Sequence, residues 1–187
     1  QHDRILEHPQ PGIVTGLAWT QAGGEILFIE TVFTKGNGKL TITGQLGDVM
    51  KESAAIAVTL VKELYPEKAE LFAKNDLHIH VPAGAVPKDG PSAGITLVTA
   101  LSSLVSGKPV NPEIAMTGEV SLRGGIMPIG GLPEKLMAAQ RAGVKKVYIP
   151  KDNMPDLEDV AAEVKEKLTI VPVKKITDVL KAEKVMA

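Results

Sequence analysis

Hydrophobic and polar positions alternate in short runs over the first part of the chain, as they do in half-buried β-strands. Residues 12–30 hold two apolar runs separated by the turn sequence A-G-G at 22–24, which predicts a β-hairpin. The sequence G-N-G at 36–38 predicts a second turn, and an alternating strand follows over 39–43. The N-terminal part of the chain is therefore expected to be rich in β-structure.

Two segments between residues 47 and 107 carry the pattern of a helix. Between Gly47 and Pro66 apolar residues recur every three or four positions, which predicts an amphipathic helix. Residues 92–106 contain no charge and are followed by Gly107, as expected of a buried helix with a glycine stop.

The second half of the chain alternates between strands and helices. The pattern predicts strands over 113–120, 124–129, 144–149 and 169–173, and helices over 133–143, 156–168 and 176–187. We therefore predict an α/β (α+β) fold, with a β-rich N-terminal part followed by alternating strands and helices, in one domain over residues 1–187 with a lead segment at 1–11.

Composition narrows the function classes. Twenty-one basic and 22 acidic residues give a net charge of -1, so charge does not point to nucleic acid or to an anionic membrane, and aromatics are only 3% of the residues. The absence of cysteine excludes thiol chemistry and fits a reducing compartment, so we expect a cytoplasmic location. No run reaches the roughly 18 apolar residues of a membrane span. The chain begins at Gln1 rather than methionine, from which we expect a piece of a longer polypeptide.

A candidate nucleophile stands at the start of the buried helix. Residues 90–94 read G-P-S-A-G, which matches the G-x-S-x-G pattern that exposes a serine hydroxyl in a tight turn. Ser92 at a helix start would have backbone N–H groups beside it, those of Ser92 and Ala93, which suit a developing oxyanion. The same serine would also serve as an ordinary helix N-cap, and both interpretations can hold together.

The general base for this serine is not a histidine that follows it in the chain, as in the catalytic triad of α/β-hydrolases. In α/β-hydrolases the acid and the histidine follow the serine, whereas all four histidines of this chain precede Ser92. Lysine replaces histidine in Ser-Lys enzymes, provided that burial or a nearby positive charge lowers its pKa. Lys135 shares a helical face with Leu132, Leu136 and Ala139 and is therefore expected to be buried, unlike the lysines of polar turns and charged helix faces.

Three segments together resemble the proteolytic domain of Lon proteases. They read P-K-D-G-P-S-A-G at 87–94, M-T-G-E-V-S-L-R-G at 116–124 and P-I-G-G-L-P-E-K at 128–135. Shorter matches at 16–20, 44–50 and 78–82 extend the resemblance over about residues 12–180.

The resemblance implies a serine endopeptidase with a Ser-Lys dyad, in which Ser92 is the nucleophile and Lys135 the base. It further implies that Thr117 lies beside the lysine and orients its amine by accepting a hydrogen bond. A strand threonine without such a role is the simpler alternative.

Other polar residues are weaker candidates for the site. Asp89 would either pair with Lys135 and keep it charged, as a gate, or form a turn. Glu119 and Glu30 are candidates for lining the cleft. His78 and His80 alternate with apolar residues of a predicted strand near the site, and because no third ligand is suggested nearby, we expect no metal.

The resemblance also implies properties of a longer protein. Lon proteases are driven by ATP, yet this chain lacks a G-x-x-x-x-G-K-[ST] loop, so we expect no cofactor in this domain. ATP and Mg would be used by an AAA+ module that, with an N-terminal substrate-recognising region, would precede Gln1. The implied assembly is a hexameric ring that degrades unfolded, damaged and regulatory proteins in a bacterial cytoplasm or, less favoured, a mitochondrial matrix.

Two rival functions come from other classes. A Lon-like scaffold without catalysis would lack the dyad, whereas both dyad residues are present here. An esterase of the α/β-hydrolase type would need a histidine after the serine, and ester turnover that survives loss of Lys135 would favour it.

Overall fold

A mixed seven-stranded β-sheet lies at the centre of the molecule. The computed structural model describes residues 4–82 and 90–187. The sheet has the order β3-β4-β2-β1-β5-β8-β9. Its strands are β1 (Ile13–Thr20), β2 (Gly23–Lys35), β3 (Leu40–Thr43), β4 (Asn75–His80), β5 (Ile114–Met116), β8 (Lys146–Pro150) and β9 (Thr169–Val173), while β6 (Glu119–Val120) and β7 (Ile126–Met127) form a separate two-stranded sheet.

The strand directions divide the sheet into two parts. The β1–β2 hairpin and the β2–β4 pair are antiparallel. Strand β3 runs parallel to β4, and β1, β5, β8 and β9 are parallel neighbours. The predicted fold class is thus confirmed as a mixed α/β domain whose N-terminal part is mainly β-structure.

The described residues form six α-helices, which cover the two faces of the sheet. They are α1 (Asp48–Leu64), α2 (Ala69–Lys74), α3 (Gly94–Ser106), α4 (Leu132–Ala142), α5 (Ala162–Lys167) and α6 (Ile176–Ala182), and 3-10 turns occupy Pro66–Lys68, Pro91–Ala93 and Lys151–Asp159. None of the helices in the described part of the chain is both long and apolar enough to cross a membrane.

Alternation along β2 separates two hydrophobic cores. Leu27 and Ile29 join a core formed with α1, α3 and α6, whereas Ile26 and Phe28 join a second core with α4 and α5. Side chains of successive strand residues point to opposite faces, so one strand serves both cores. Helix α3 lies within the first core, with eleven of its thirteen residues buried, and ends at Gly107 with φ 72°, as its uncharged sequence predicted.

Four predicted elements differ from the structure. Of the strand predicted over 124–129, only Ile126–Met127 forms a strand, β7. The strand predicted over 113–120 is split, because the chain leaves the main sheet at Thr117 and Gly118. The helix predicted over 156–168 was wrong as one element, since Val160 is extended and buried between the 3-10 helix and α5. The last helix ends at Ala182 rather than 187, and Lys184 beyond it has φ 61°. Helix α2 was not predicted.

Candidate active site

At both glycine positions of the G-P-S-A-G segment a larger side chain would be unfavourable for steric reasons. Gly90 has φ 127° and ψ 160°, a backbone conformation that L side chains rarely adopt. Gly94 begins α3, and a Cβ added there would lie 3.0 Å from the backbone nitrogen of Val120. The first glycine therefore permits the turn, and the second lets the start of α3 approach β6 closely.

Ser92 occupies the middle of the 3-10 turn Pro91–Ala93, directly before α3. The first N–H groups of a helix have no acceptor within the helix, and here they belong to Ser92 and Ala93 because Pro91 has none. This geometry suits the stabilisation of negative charge that develops next to the serine hydroxyl.

Lys135 is buried in the first turns of α4, with only 2% of its surface exposed. Its ammonium Nζ donates a hydrogen bond to Thr117 Oγ1 at 3.2 Å. Within residues 4–82 and 90–187 no carboxylate forms an ion pair with it. Burial disfavours the charged form and lowers the pKa of Lys135 from 10.5 to about 8. The burial predicted from the helical pattern is therefore observed.

Thr117 and Gly118 connect the serine segment to the lysine. The N–H of Gly118 donates to the carbonyl of Ser92 at 2.9 Å, and the carbonyl of Gly118 accepts from Ile95 at 3.0 Å. The N–H of Thr117 donates to the carbonyl of Tyr148 at 3.1 Å, which ties the end of β5 to β8. Thus two adjacent residues hold the backbone of Ser92 on one side and the amine of Lys135 on the other.

Ser92 and Lys135 line the same cleft, which has a volume of about 1190 Å³. One wall is the tip of the β1–β2 hairpin with Trp19, and another is the segment 128–131. The described lining residues are mainly small or apolar: Ala18, Trp19, Thr20, Gln21, Ala22, Leu27, Met50, Gly90, Pro91, Ser92, Pro128, Ile129, Gly130, Gly131 and Lys135. The cleft can therefore take apolar groups next to the serine.

The hairpin offers the cleft a partly unpaired strand edge. Strand β1 pairs with β5 only at Thr15 and Gly16, since β5 ends at Met116. On the β5 side, residues 17–20 of β1 have no strand partner in the part of the chain that the structure describes. An unpaired strand edge presents backbone donors and acceptors to an extended peptide.

The hairpin is held against α4 by close contacts at glycine. A Cβ added at Gly24 would lie 2.1 Å from the carbonyl oxygen of Glu134, and one at Gly131 would lie 2.9 Å from Trp19 Cγ. Trp19 is nevertheless 62% exposed, so its indole covers Gly131 while it faces the cleft.

The structure brings together only some of the predicted site residues. Glu30, His78 and Glu119 are half-buried and are not among the described residues that line the cleft. Thr43 Oγ1 lies 2.9 Å from His78 Nε2 and 2.6 Å from His80 Nδ1. Glu30 lies opposite His80 in the β2–β4 register.

Two further expectations concern Asp89 and metals. Asp89 lies outside the described residues, so its pairing with Lys135 stays a prediction. In the described ranges no three His, Cys, Asp or Glu side chains form a group that could hold a metal ion.

Sequence reasoning missed several cleft residues. Trp19 was noted only within the segment 16–20 that resembles Lon proteases. It is the only tryptophan of the chain and stands beside a glycine turn, and its 62% exposure in the structure is typical of an aromatic residue that binds a ligand. Met50 falls within the helix predicted after Gly47 and was expected only as one of its apolar residues. Pro128 and Ile129 were predicted as the end of a strand over 124–129, whereas β7 ends at Met127. No local pattern marks the long-range meeting of these segments.

A serine at a helix start and a desolvated lysine in one cleft are typical of hydrolases that form an acyl-enzyme with a lysine base. Comparison with known proteins gives the family. Residues 1–185 match the family model described as the Lon protease (S16) C-terminal proteolytic domain. The chain therefore belongs to the Lon protease family, as its proteolytic domain.

Curated relatives agree over almost the whole chain. The Lon protease of Clostridium beijerinckii is 59% identical over 180 residues, which are 96% of this chain and 23% of that protein. The Lon protease of Methanosarcina barkeri is 58% identical over 173 residues, 91% of this chain and 22% of that protein. That of Brucella suis is 55% identical over 175 residues, 92% of this chain and 22% of that protein. The chain thus spans less than a quarter of the length of these relatives, and family membership makes it a peptidase domain.

Proposed function

We propose that this chain is the serine endopeptidase domain of an ATP-dependent Lon protease, with Ser92 as the nucleophile and Lys135 as the general base. One observation carries the proposal: Ser92 lines the same cleft as a lysine that is buried and has no carboxylate partner among the described residues. A serine hydroxyl is a weak nucleophile until a neighbouring base takes its proton.

In the proposed reaction, neutral Lys135 accepts the proton of Ser92 as the serine oxygen attacks a peptide carbonyl. The N–H groups of Ser92 and Ala93 stabilise the resulting oxyanion. The protonated lysine then gives its proton to the leaving amine, and the acyl-enzyme forms. Water, activated by the same lysine, hydrolyses the ester and restores the serine. No metal or organic cofactor takes part in these steps.

Thr117 is proposed to orient the lysine. Its hydroxyl accepts a hydrogen bond from Lys135 Nζ at 3.2 Å, and its backbone is fixed to Tyr148. A threonine held at both ends restricts the amine to one position in the cleft. Asp89, Glu30, Glu119 and His78 stay weaker candidates for a supporting role.

Unfolded, damaged and regulatory proteins are the proposed substrates. The unpaired edge at residues 18–20, which line the cleft, and the mainly apolar character of the cleft suit an extended polypeptide with apolar side chains. By family membership, we further propose a hexameric ring, driven by an AAA+ module that uses ATP and Mg, in a bacterial cytoplasm.

The dyad is tested by hydrolysis of casein and of a fluorogenic peptide by the full-length protein with ATP. Ser92→Ala and Lys135→Ala should each lower turnover by about 10⁴-fold or more, because the two residues act as one unit. Lys151→Ala, which removes an exposed lysine outside the cleft, is the matched control and should stay near wild type. ATPase activity should persist in all variants. Turnover that survives loss of Lys135 would place the base elsewhere.

A further inference from the structure

A buried asparagine holds one wall of the cleft. Asn153 lies in the 3-10 helix Lys151–Asp159 and is only 3% exposed. Its Oδ1 accepts the N–H of Ile129 at 2.9 Å, and its Nδ2 donates to the carbonyl of the same residue at 2.8 Å. One side chain thereby satisfies both backbone groups of Ile129, as a neighbouring strand would.

The second N–H of this amide is also used. Asn153 Nδ2 donates to Asp156 Oδ2 at 2.7 Å, so the carboxylate fixes the orientation of the amide. Only an amide supplies one acceptor and two donors at these positions, and buried polar side chains are costly unless such partners are present. The burial and the three hydrogen bonds make this a specific clamp rather than a solvated turn residue.

Ile129 is where this clamp meets the site. It lines the cleft, and so do its neighbours Pro128, Gly130 and Gly131. These residues connect β7 to α4 and belong to no strand or helix, so no ladder of backbone hydrogen bonds holds them. Gly131 at the end of the segment touches Trp19 of the opposite wall. The position of Ile129 therefore sets the width of the cleft.

We propose that Asn153 is a positioning residue that fixes the Ile129 wall, and thereby determines how tightly a substrate is held beside Ser92. The proposal rests on the proposed peptidase function. Asn153 acts through the backbone of Ile129 and does not touch the reacting atoms.

The dyad itself is anchored elsewhere. Lys135 is held by Thr117 and by the core around α4, and Ser92 is held by Gly118. Loss of the clamp is therefore expected to weaken substrate binding while the proton transfer continues. A change in KM alone therefore distinguishes loss of the clamp from a general loss of structure, which would also lower kcat.

The test compares Asn153→Asp with the wild type in the full-length protein with ATP, using a fluorogenic peptide. Aspartate keeps the shape but replaces the donors with a charged oxygen that faces the Ile129 carbonyl and Asp156. We expect KM to rise by roughly ten-fold, because buried polar groups lose their partners. The value of kcat and the midpoint of the pH profile should stay unchanged. Asn111→Ala is the matched control, since Asn111 also accepts a backbone hydrogen bond, from Glu113 N–H, but is exposed and is not among the residues that line the cleft.

A second readout does not depend on catalysis. Trp19 is the only tryptophan of this chain and touches Gly131, so its emission in the 187-residue chain reports the distance between the two walls. Asn153→Asp should shift the emission and increase quenching by acrylamide, whereas Asn111→Ala should change neither. If Asn153→Asp fails to fold, Asn153→Ala and Asp156→Ala are measured in its place, with the smaller effect expected for Asp156→Ala because both bonds to Ile129 remain.

The outcomes are distinct. A folded Asn153 variant with unchanged KM and unchanged Trp19 emission overturns the proposal. A variant whose kcat and pH midpoint change while KM does not also overturns it, because the residue would then act on the dyad. If the wild type hydrolyses nothing, or if Ser92→Ala retains activity, the proposed function fails, while the fluorescence measurement still decides whether Asn153 holds the wall.

Discussion

Two lysines of this domain occupy opposite electrostatic surroundings. Lys135 is buried, and its amine bonds to the neutral hydroxyl of Thr117. Lys146 on β8 lies 2.9 Å from Glu183 Oε2, with its amine over the ring of Tyr148, and 34% of its side chain is exposed. The Tyr148 hydroxyl donates to the same carboxylate, and burial together with Glu183 raises the pKa of Tyr148.

These surroundings distinguish a lysine that is suited to act as a base, Lys135, from one that stabilises the fold through an ion pair, Lys146. An adjacent carboxylate favours the charged amine, whereas burial beside a neutral hydroxyl favours the neutral one. Lys146, Tyr148 and Glu183 connect β8 to the residue that follows α6, whereas the burial of Lys135 destabilises its charged form in the folded domain.

The largest effect is expected when Lys135 is replaced by an apolar residue of similar length. Lys135→Met should abolish hydrolysis and also stabilise the domain at pH 7 by up to about 3 kcal/mol, the value of a pKa lowered from 10.5 to about 8. The unfolded state binds the proton more tightly, so the cost is complete below pH 8 and disappears as pH rises through 10.5. Urea unfolding at pH 7 measures it. A Met variant less stable than wild type at pH 7 would contradict this account.

Removal of the hydroxyl partner should have the next largest effect. Thr117→Val keeps the shape but leaves the amine of Lys135 without its partner, so kcat should fall by about 10²-fold. Thr117→Ser retains the hydroxyl and should keep most of the activity. Steady-state kinetics of the two variants decide the matter, and equal losses would show that packing rather than the hydrogen bond matters.

The pH dependence of hydrolysis tests whether Lys135, unlike an exposed lysine, has a lowered pKa. With a pKa of about 8, the neutral form of Lys135 rises from about a tenth at pH 7 to about nine-tenths at pH 9. Activity should therefore increase roughly ten-fold or slightly less over this range and reach a plateau above it. Peptide hydrolysis from pH 6 to 10, with ATPase activity followed in parallel, tests this. A midpoint near 10 would mean that Lys135 is not desolvated in the working enzyme.

The smallest effect is expected at Lys146. Lys146→Met removes the cation of a largely buried Glu183 carboxylate, which keeps its bond from Tyr148, so the variant should lose roughly 1–2 kcal/mol of stability. Because the pair lies outside the cleft lining, kcat/KM should change by no more than about two-fold. Thermal unfolding and peptide hydrolysis measure the two quantities. A large loss of activity would mean that the Tyr148–Thr117 connection transmits strain to the site.

Much of the fold was readable from local patterns. The β1–β2 hairpin, the uncharged helix α3 and the burial of Lys135 follow from periodicity and turn residues alone. The break at Thr117–Gly118 was not readable, because its bonds to Ser92, Ile95 and Tyr148 are long-range. The helix predicted over 156–168 failed for a similar reason, because the burial of Val160 in the second core overrides the helical pattern around it. The roles of Asn153 and Trp19 likewise depend on partners that are distant in sequence.

The unpaired edge of β1 has a consequence for what the domain can recognise. A folded protein has already committed its backbone N–H and C=O groups to its own helices and sheets, whereas an unfolded chain has them free. A site that binds a substrate by adding it as a strand therefore recognises the conformation of the substrate backbone rather than its sequence. Under the proposed mode of binding, side chains adjust the affinity, but the edge at residues 18–20 first selects chains that have lost their own secondary structure.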